Sequence, residues 1–356
     1  MRAIKVFALG STREFGEKVA SHLGVPLSKH KESHFHDGEC YVASEENVRG
    51  ADVYVIKSLY GDDQESVNDK LMKLLIFLGS LHDAKAHRVT AVLPYNCYAR
   101  QDRKTSSRAP ITTKYLTHIL ESVYVRNVMT IDAHNPVAFQ NSYSRAHFDN
   151  LEAGGLFAKF VAQELAKDHK HTGTLVVLSP DEGRLKASRK FRRFLQEYLG
   201  YDVGVACVHK IHEDESIQAK GLMCEEGVTI KHKRVVIFDD MISSGKTALE
   251  AINVARDHGA ACVEAICGTH GLFVGKANEY LDNDFLRNII VTDTIKPFRI
   301  TNPAIVRKMT VIHTHHLFAE AIKRTTKGES LSDLIEKNGL PLTFDKLYCE
   351  DLLKVS

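Results

Sequence analysis

The sequence predicts an α/β protein of two similar domains, each a mainly parallel sheet flanked by helices. Two observations carry that expectation. Short apolar runs alternate with helix-period segments from end to end. The same grammar also occurs twice: a helix, an Ala-rich corner (Asp83-Ala84-Lys85-Ala86, then Gly259-Ala260-Ala261), and a strand. At ~150 residues per domain, 356 residues suit two domains. The repeat sets them at 1–150 and 151–325, joined near Asn150 to Gly155, with 326–356 as a C-terminal extension short on apolar periodicity.

Ile4 to Leu9 reads as the first strand, closed by Gly10-Ser11-Thr12, and Asp52 to Ile56 as another. A helix is expected from Val67 to about Leu81, because positions 67, 71, 74, 75 and 78 are apolar at a 3.6-residue period. Arg88 to Leu93 and Val128 to Ile131 follow as strands, ending at Pro94 and Asp132. In the second half Leu175 to Ser179 leads into Pro180-Asp181-Glu182-Gly183, then a helix with Ala187, Phe191, Phe194 and Leu195 on one face. Val203 to Val208 forms a strand, Arg234 to Phe238 leads into Asp239-Asp240, and Cys262 to Ile266 leads into Gly268-Thr269-His270.

Composition narrows the function classes. Forty-seven Lys+Arg against 45 Asp+Glu leave a net charge of +2, which argues against a protein that coats nucleic acid or an anionic membrane. The longest apolar stretch, Leu74 to Leu78, is far below the ~18–20 residues of a membrane span. No signal-peptide core precedes Arg13 and Glu14. The 7 cysteines are scattered, with no C-x-x-C pair, as free thiols in a reduced compartment would be. A soluble cytoplasmic protein is expected.

The sharpest local feature is Val235 to Thr247. A buried strand delivers two adjacent carboxylates, Asp239 and Asp240, to the end where open α/β sheets bind ligands. Ser243-Ser244-Gly245-Lys246-Thr247 then opens a helix near Ala248, and its amides, hydroxyls and dipole suit a phosphate. The carboxylates would accept hydrogen bonds from sugar hydroxyls or hold a hydrated Mg²⁺. A Walker A loop is excluded, because it needs glycine at position 240, which is Asp. Two acids directly after four apolar residues are also poor material for a mere helix cap.

This stretch resembles the phosphoribosyl-diphosphate-binding loop of the phosphoribosyltransferase fold. Further segments stand out with it: Phe35-His36-Asp37-Gly38-Glu39, Tyr98-Ala99-Arg100-Gln101-Asp102 with Ser107 to Thr112, and Asp132-Ala133-His134. Ser179-Pro180-Asp181-Glu182-Gly183, Val291 to Ile295 and Leu317 to Ile322 complete the set. In order from residue 5 to about 335, these segments resemble one family, ribose-phosphate diphosphokinase. The resemblance implies two tandem phosphoribosyltransferase-like domains, the N-terminal on the ATP side and the C-terminal on the ribose 5-phosphate side. It implies Mg-dependent transfer of the diphosphoryl group of ATP to the C1 hydroxyl of ribose 5-phosphate, releasing AMP. The implied ATP contacts are Arg100, Gln101 and Asp102, with Phe35, Asp37 and Glu39 completing the site of a neighbouring subunit in a homodimer or homohexamer. Asp132, His134 and Asp181 would lie by the metal, and Asp181, Glu182 and Gly183 would line the diphosphate loop. Asp239 and Asp240 would hold the ribose hydroxyls, and Ser243, Ser244, Gly245, Lys246 and Thr247 the 5-phosphate. Lys210, His212 and His134 would be catalytic, the first two on a mobile loop after Val208.

Several positions depart from the family pattern. His212 replaces an arginine, Arg184 a second loop glycine and Lys246 a glycine, and the segment from Asn135 to Phe148 carries roughly a two-residue insertion. A larger anionic ribose-5-phosphate derivative as acceptor, or a non-catalytic regulatory homologue, are the alternatives. The basic run Arg184, Lys186, Arg189, Lys190, Arg192, Arg193 reads as a solvated helix face, or, at Arg184 and Lys186, as a reach toward an anionic substrate. His313, His315 and His316 read as a strand-to-helix hand-over and not as a metal tract.

Overall fold

The computed structural model describes residues 2–166, 175–213, 217–337 and 340–347, without the side chains of 210–220 and 335–337. It divides into two units, Met1–Glu152 with Thr314–Leu340, and Ala153–His313 with Pro341–Ser356.

The first unit runs β1 (Ile4–Ala8), α1 (Arg13–Leu23), β2 (His30–His34), β3 (Cys40–Ser44), β4 (Asp52–Ile56), α2 (Val67–Asp83) and β5 (Arg88–Leu93). It continues with α3 (Thr112–Ser122), β6 (Asn127–Ile131), α4 (Pro136–Ser142) and β7 (His147–Leu151). Its five-stranded sheet has the order β1-β4-β5-β6-β7, every pair parallel, and β2 and β3 form a separate antiparallel hairpin. Parallel strands covered on both faces read as unbroken apolar runs, and β4 is buried at all five positions. Helix α2 begins with a capping box, in which the Ser66 side chain accepts from the Asp69 amide and Asp69 from the Ser66 amide.

The second unit contains α5 (Gly154–Phe160), β8 (Leu175–Ser179), α6 (Leu185–Leu199), β9 (Gly204–Glu213), β10 (Ile217–Cys224), β11 (Arg234–Ile242) and α7 (Lys246–Asp257). Then come β12 (Cys262–Gly271), α8 (Ala277–Tyr280), β13 (Ile289–Thr292), α9 (Pro303–Val306) and β14 (Met309–Ile312). The chain returns to the first unit for α10 (His315–Lys327) and α11 (Ser332–Lys337), then back to the second for β15 (Phe344–Lys346). The sheet order is β10-β9-β8-β11-β12-β13-β14-β15, parallel except for the antiparallel outer strands β10 and β15. Phe238 on β11 stacks on Phe191 of α6, ring centroids 4.6 Å apart, and meets Phe157 of α5 edge-on.

Three sequence expectations differ from this architecture. The segment Thr314–Thr325, assigned by the repeat to the second domain, belongs to the first unit, where α10 packs on α1 with Phe15 and Phe318 edge-to-face at 5.6 Å. That docking is a tertiary preference which helix periodicity cannot express. The stretch after 325 carries a paired strand: β15 covers the open edge of β14, and its Asp345 lies 2.8 Å from His313 Nε2. Covering such an edge removes a template for unwanted pairing. Finally, in place of the loop expected after Val208, the backbone continues as β9 to Glu213 and pairs with β10, Lys210 opposite Lys220 and His212 opposite Gln218.

Candidate functional site

In the second unit β11 lies between β8 and β12 and does not stop at Phe238. It runs through both acids to Ile242, because β12 extends alongside to Gly271. Asp239 pairs with Gly268, where a Cβ would lie 2.6 Å from Ile242 Cγ1, so only glycine lets the two strands pack this closely. Asp240 is buried and Asp239 half-buried, and Asp239 Oδ1 accepts from the Asp240 amide at 2.8 Å. Burial, and then the neighbouring charge of Asp240, push the Asp239 carboxyl well above the usual carboxylate range, with the Arg184 guanidinium opposing them.

The turn after β11 is held from outside. Ile242 O accepts from the amides of Leu272 and Phe273 at 2.9 and 3.1 Å, and Ser243 O from the Val274 amide at 3.0 Å. Gly245 caps α7 at φ +77°, a left-handed conformation that favours glycine. Helix α7 starts at Lys246, two residues before the expected Ala248, with Lys246 and Thr247 exposed. The amides of its first turn have no intrahelical acceptor, which suits an anion.

Asp181 Oδ1 accepts from the Arg184 amide at 3.0 Å, so the carboxylate closes a short turn, with Glu182 and Gly183 exposed, at the start of α6. Of the basic run, Arg189 and Arg192 pair with Glu225 at 2.8 and 3.6 Å on the surface. Arg184 does otherwise: its side chain is only 15% exposed, and its Nε lies 3.4 Å from Asp239 Oδ1 and 3.8 Å from Asp240 Oδ1. The side chains of Lys210 and His212 lie outside the described residues.

In the first unit β6 ends at Ile131, and the next residue, Asp132, adopts φ +41° and donates its amide to Leu151 O at 2.9 Å. The Ala133 amide donates to Asn150 Oδ1 at 2.8 Å. Asn135 caps α4 by accepting from the Ala138 amide, and its Nδ2 donates to Asp102 Oδ2 at 2.7 Å. That bond fastens the Tyr98–Asp102 segment to the loop carrying Asp132 and the half-buried His134. Tyr98 is also left-handed, at φ +53°, and its carbonyl accepts from the hydroxyls of Thr112 and Thr113. Left-handed non-glycine residues cost of order 1 kcal/mol or more each and cluster at functional sites. Arg100 and Gln101 are exposed. The four-residue stretch before β7 is pinned by Glu121 Oε1, which accepts from the amides of Ser144, Arg145 and Ala146 at 2.8, 2.5 and 2.8 Å. Phe35, Asp37 and Glu39 stand exposed at the tip of the β2–β3 hairpin, with Phe35 57% exposed and edge-on to Tyr41. Among the described residues no three His, Cys, Asp or Glu side chains converge to hold a metal ion.

Sequence reasoning missed a charge network at the first unit's sheet end. Lys57, Lys70 and Lys73 are buried there. Lys57 Nζ lies 3.3 Å from Glu65, Lys70 bonds Asp62, and Lys73 bonds Glu65 and reaches Glu32 at 3.1 Å. The available signal was on α2: Lys70 and Lys73 share the face of Leu74, Phe77 and Leu81, where a solvated lysine has no place. Burial would raise the Glu32 carboxyl, but His30, the Gly10 amide and Lys73 outweigh it and hold it at about 2, against an ordinary 4.5. A depressed carboxyl stabilises the fold above its unfolded value and loses that contribution as pH falls from about 4.5 toward about 2. In urea titrations across that window, Glu32→Gln is expected to show a shallower loss of stability than the parent chain. An unchanged slope would remove Glu32 from the acid-sensitive set.

Comparison with known proteins bears on the whole chain. Residues 4–123 match the family model for the N-terminal domain of ribose phosphate pyrophosphokinase, and residues 206–336 that for the phosphoribosyl synthetase-associated domain. Ribose-phosphate pyrophosphokinase 1 of Streptococcus pyogenes is 34% identical over 334 residues, covering 94% of this chain and 98% of the relative. Putative ribose-phosphate pyrophosphokinase 2 of Streptococcus agalactiae is 34% identical over 333 residues, 94% of this chain and 95% of that one. The crystal structure of phosphoribosylpyrophosphate synthetase from Mycobacterium smegmatis superposes with a TM-score of 0.78 at 28% identity, over 92% of this chain and 100% of that chain. With both halves matched and relatives aligned along nearly their full length, the chain belongs to the ribose-phosphate pyrophosphokinase family of enzymes.

Proposed function

We propose that the protein transfers the β,γ-diphosphoryl group of ATP to the C1 hydroxyl of ribose 5-phosphate, giving phosphoribosyl pyrophosphate and AMP. The observation that carries the reading is the acid pair of β11 followed directly by the glycine-capped turn into α7. Asp239 and Asp240 accept hydrogen bonds from the ribose hydroxyls, and Ser243 to Thr247 take the 5-phosphate at the helix N-terminus. Arg100, Gln101 and Asp102 receive ATP, and Asp181, Glu182 and Gly183 border the diphosphate. Phe35, Asp37 and Glu39, exposed on the hairpin tip, complete the adenine pocket of a second copy in a homodimer or homohexamer.

The C1 oxygen attacks the β-phosphorus, the bond from that phosphorus to the α,β-bridging oxygen breaks, and AMP leaves with that oxygen. The hydroxyl proton passes to solvent. Lys210 supplies positive charge to the diphosphoryl group, and His212 stands where the family's arginine would. Asp132 and His134 stand two residues apart on the loop after β6, and the Asp132 carboxylate is a hard oxygen donor that fits an Mg²⁺ carried mainly by substrate phosphates. Bound there, Mg²⁺ would neutralise the phosphate charge that builds during transfer. The near balance of 47 Lys+Arg against 45 Asp+Glu supports an enzyme of small anionic substrates, and among the described residues no helix is long and apolar enough to cross a membrane.

Phosphorus NMR of the chain with ATP, Mg²⁺ and ribose 5-phosphate is expected to show AMP and phosphoribosyl pyrophosphate rising in equal amounts. ADP in place of AMP, or no turnover, would overturn the assignment.

A further inference from the structure

Two partly buried carboxylates side by side either share a proton or take a cation. Among cations a divalent ion is one solution, and a guanidinium is the other. Arg184 provides the second from within the chain, its Nε at 3.4 Å from Asp239 Oδ1 and 3.8 Å from Asp240 Oδ1. Its approach is built in. The Arg184 amide is tied to Asp181 Oδ1 at 3.0 Å, the short turn Glu182–Arg184 leads straight into α6, and the side chain is 15% exposed. A guanidinium cannot shed its charge at any working pH. Mg²⁺ demands near-octahedral oxygen ligation and gives up water reluctantly. A divalent ion at these oxygens would also sit a few ångströms from a fixed positive charge in a poorly solvated place.

We propose that Arg184 is the resident cation of the Asp239–Asp240 pair, so that these acids meet the sugar hydroxyls without a metal ion bridging them. The part concerning the sugar rests on the reading of this site as the ribose 5-phosphate site; the part concerning the metal does not. Arg184 is thus a positioning residue. It holds the carboxylates as acceptors for hydroxyl donors and keeps them from acting as a chelate.

The test separates the two parts. Mn²⁺ binding to the full chain without substrates is followed by electron paramagnetic resonance. Asp240→Asn is expected to leave the parent chain's Mn²⁺ binding unchanged. Arg184→Met is expected to gain a site about tenfold or more tighter than any the parent has at these acids. That site should vanish in the Arg184→Met, Asp240→Asn double variant and be missing from Arg184→Lys, which keeps the charge. Loss of an Mn²⁺ site in Asp240→Asn alone would overturn the proposal, and that comparison stands even if Arg184→Met fails to fold. Separately, ribose 5-phosphate should bind the parent in EDTA within about twofold of its affinity in Mg²⁺, whereas Arg184→Met should bind it only with the metal. Parent binding that requires Mg²⁺ would also overturn the proposal. Failure of ribose 5-phosphate to bind under either condition would strike the sugar assignment, while the Mn²⁺ measurements would still decide the metal question.

Discussion

Asp240→Asn is expected to lower maximal turnover by about two to three orders of magnitude while the unfolding midpoint stays close to that of the parent chain. Replacing one preorganised charged acceptor at a reacting sugar removes roughly 3–4 kcal/mol of transition-state stabilisation. Stability should change far less, for a local reason. Asn keeps an oxygen toward Arg184 and relieves the like-charge contact that, after burial, pushes the Asp239 carboxyl upward. The two effects oppose each other within one side chain. Steady-state kinetics together with thermal unfolding checks both halves. A variant that unfolds, or that turns over normally, would show that Asp240 serves the fold of β11 and not the sugar.

Lys73→Met should destabilise the first unit by about 3–5 kcal/mol, the usual cost of removing one partner from a buried ion pair. Lys73 is 3% exposed and is shared by Glu32 and Glu65, so its loss leaves two carboxylates competing for Lys57, His30 and the Gly10 amide. Methionine fills nearly the same volume, which keeps a cavity out of the comparison. Denaturant titration at neutral pH measures the loss. The deficit should shrink as pH falls below about 4, since the abandoned carboxylates then take up protons. A pH-independent deficit would assign the loss to packing.

Strands buried on both faces are legible because nothing interrupts their apolar run, and so Asp52–Ile56, Arg88–Leu93 and Leu175–Ser179 read directly from the sequence. Where a strand continues through polar residues the signal vanishes. The last third of β11 and the far end of β9 are held by pairing to neighbours, which hydropathy does not report. The acid pair stands out from its chemistry alone, two carboxylates after four apolar residues. Its pairing with Arg184 did not: the sequence marks Arg184 as a departure and as a reach toward an anionic substrate, but it sits in a basic run where Arg189 and Arg192 make ordinary surface pairs, and only the turn closed by Asp181 aims it inward. Asn135 and Asn150, which tie the Asp132–His134 loop in place, carry no local signature, because their partners lie 33 and 17 residues away in sequence. The docking of α10 onto α1 is of the same kind.

That docking has a consequence for how the protein is made. The first unit is discontinuous: Met1–Glu152 is completed by Thr314–Leu340, and the apolar face of α1 waits for Phe318 and its helix. At roughly 5–20 residues per second, about 8–32 s of translation separate the emergence of the two pieces. Through that interval the ribosome carries a nascent first sheet with one helix uncovered, while most of the second unit emerges and is free to fold ahead of it. Completion therefore runs out of sequence order, and chaperones that meet nascent chains have their longest opportunity on the α1 face.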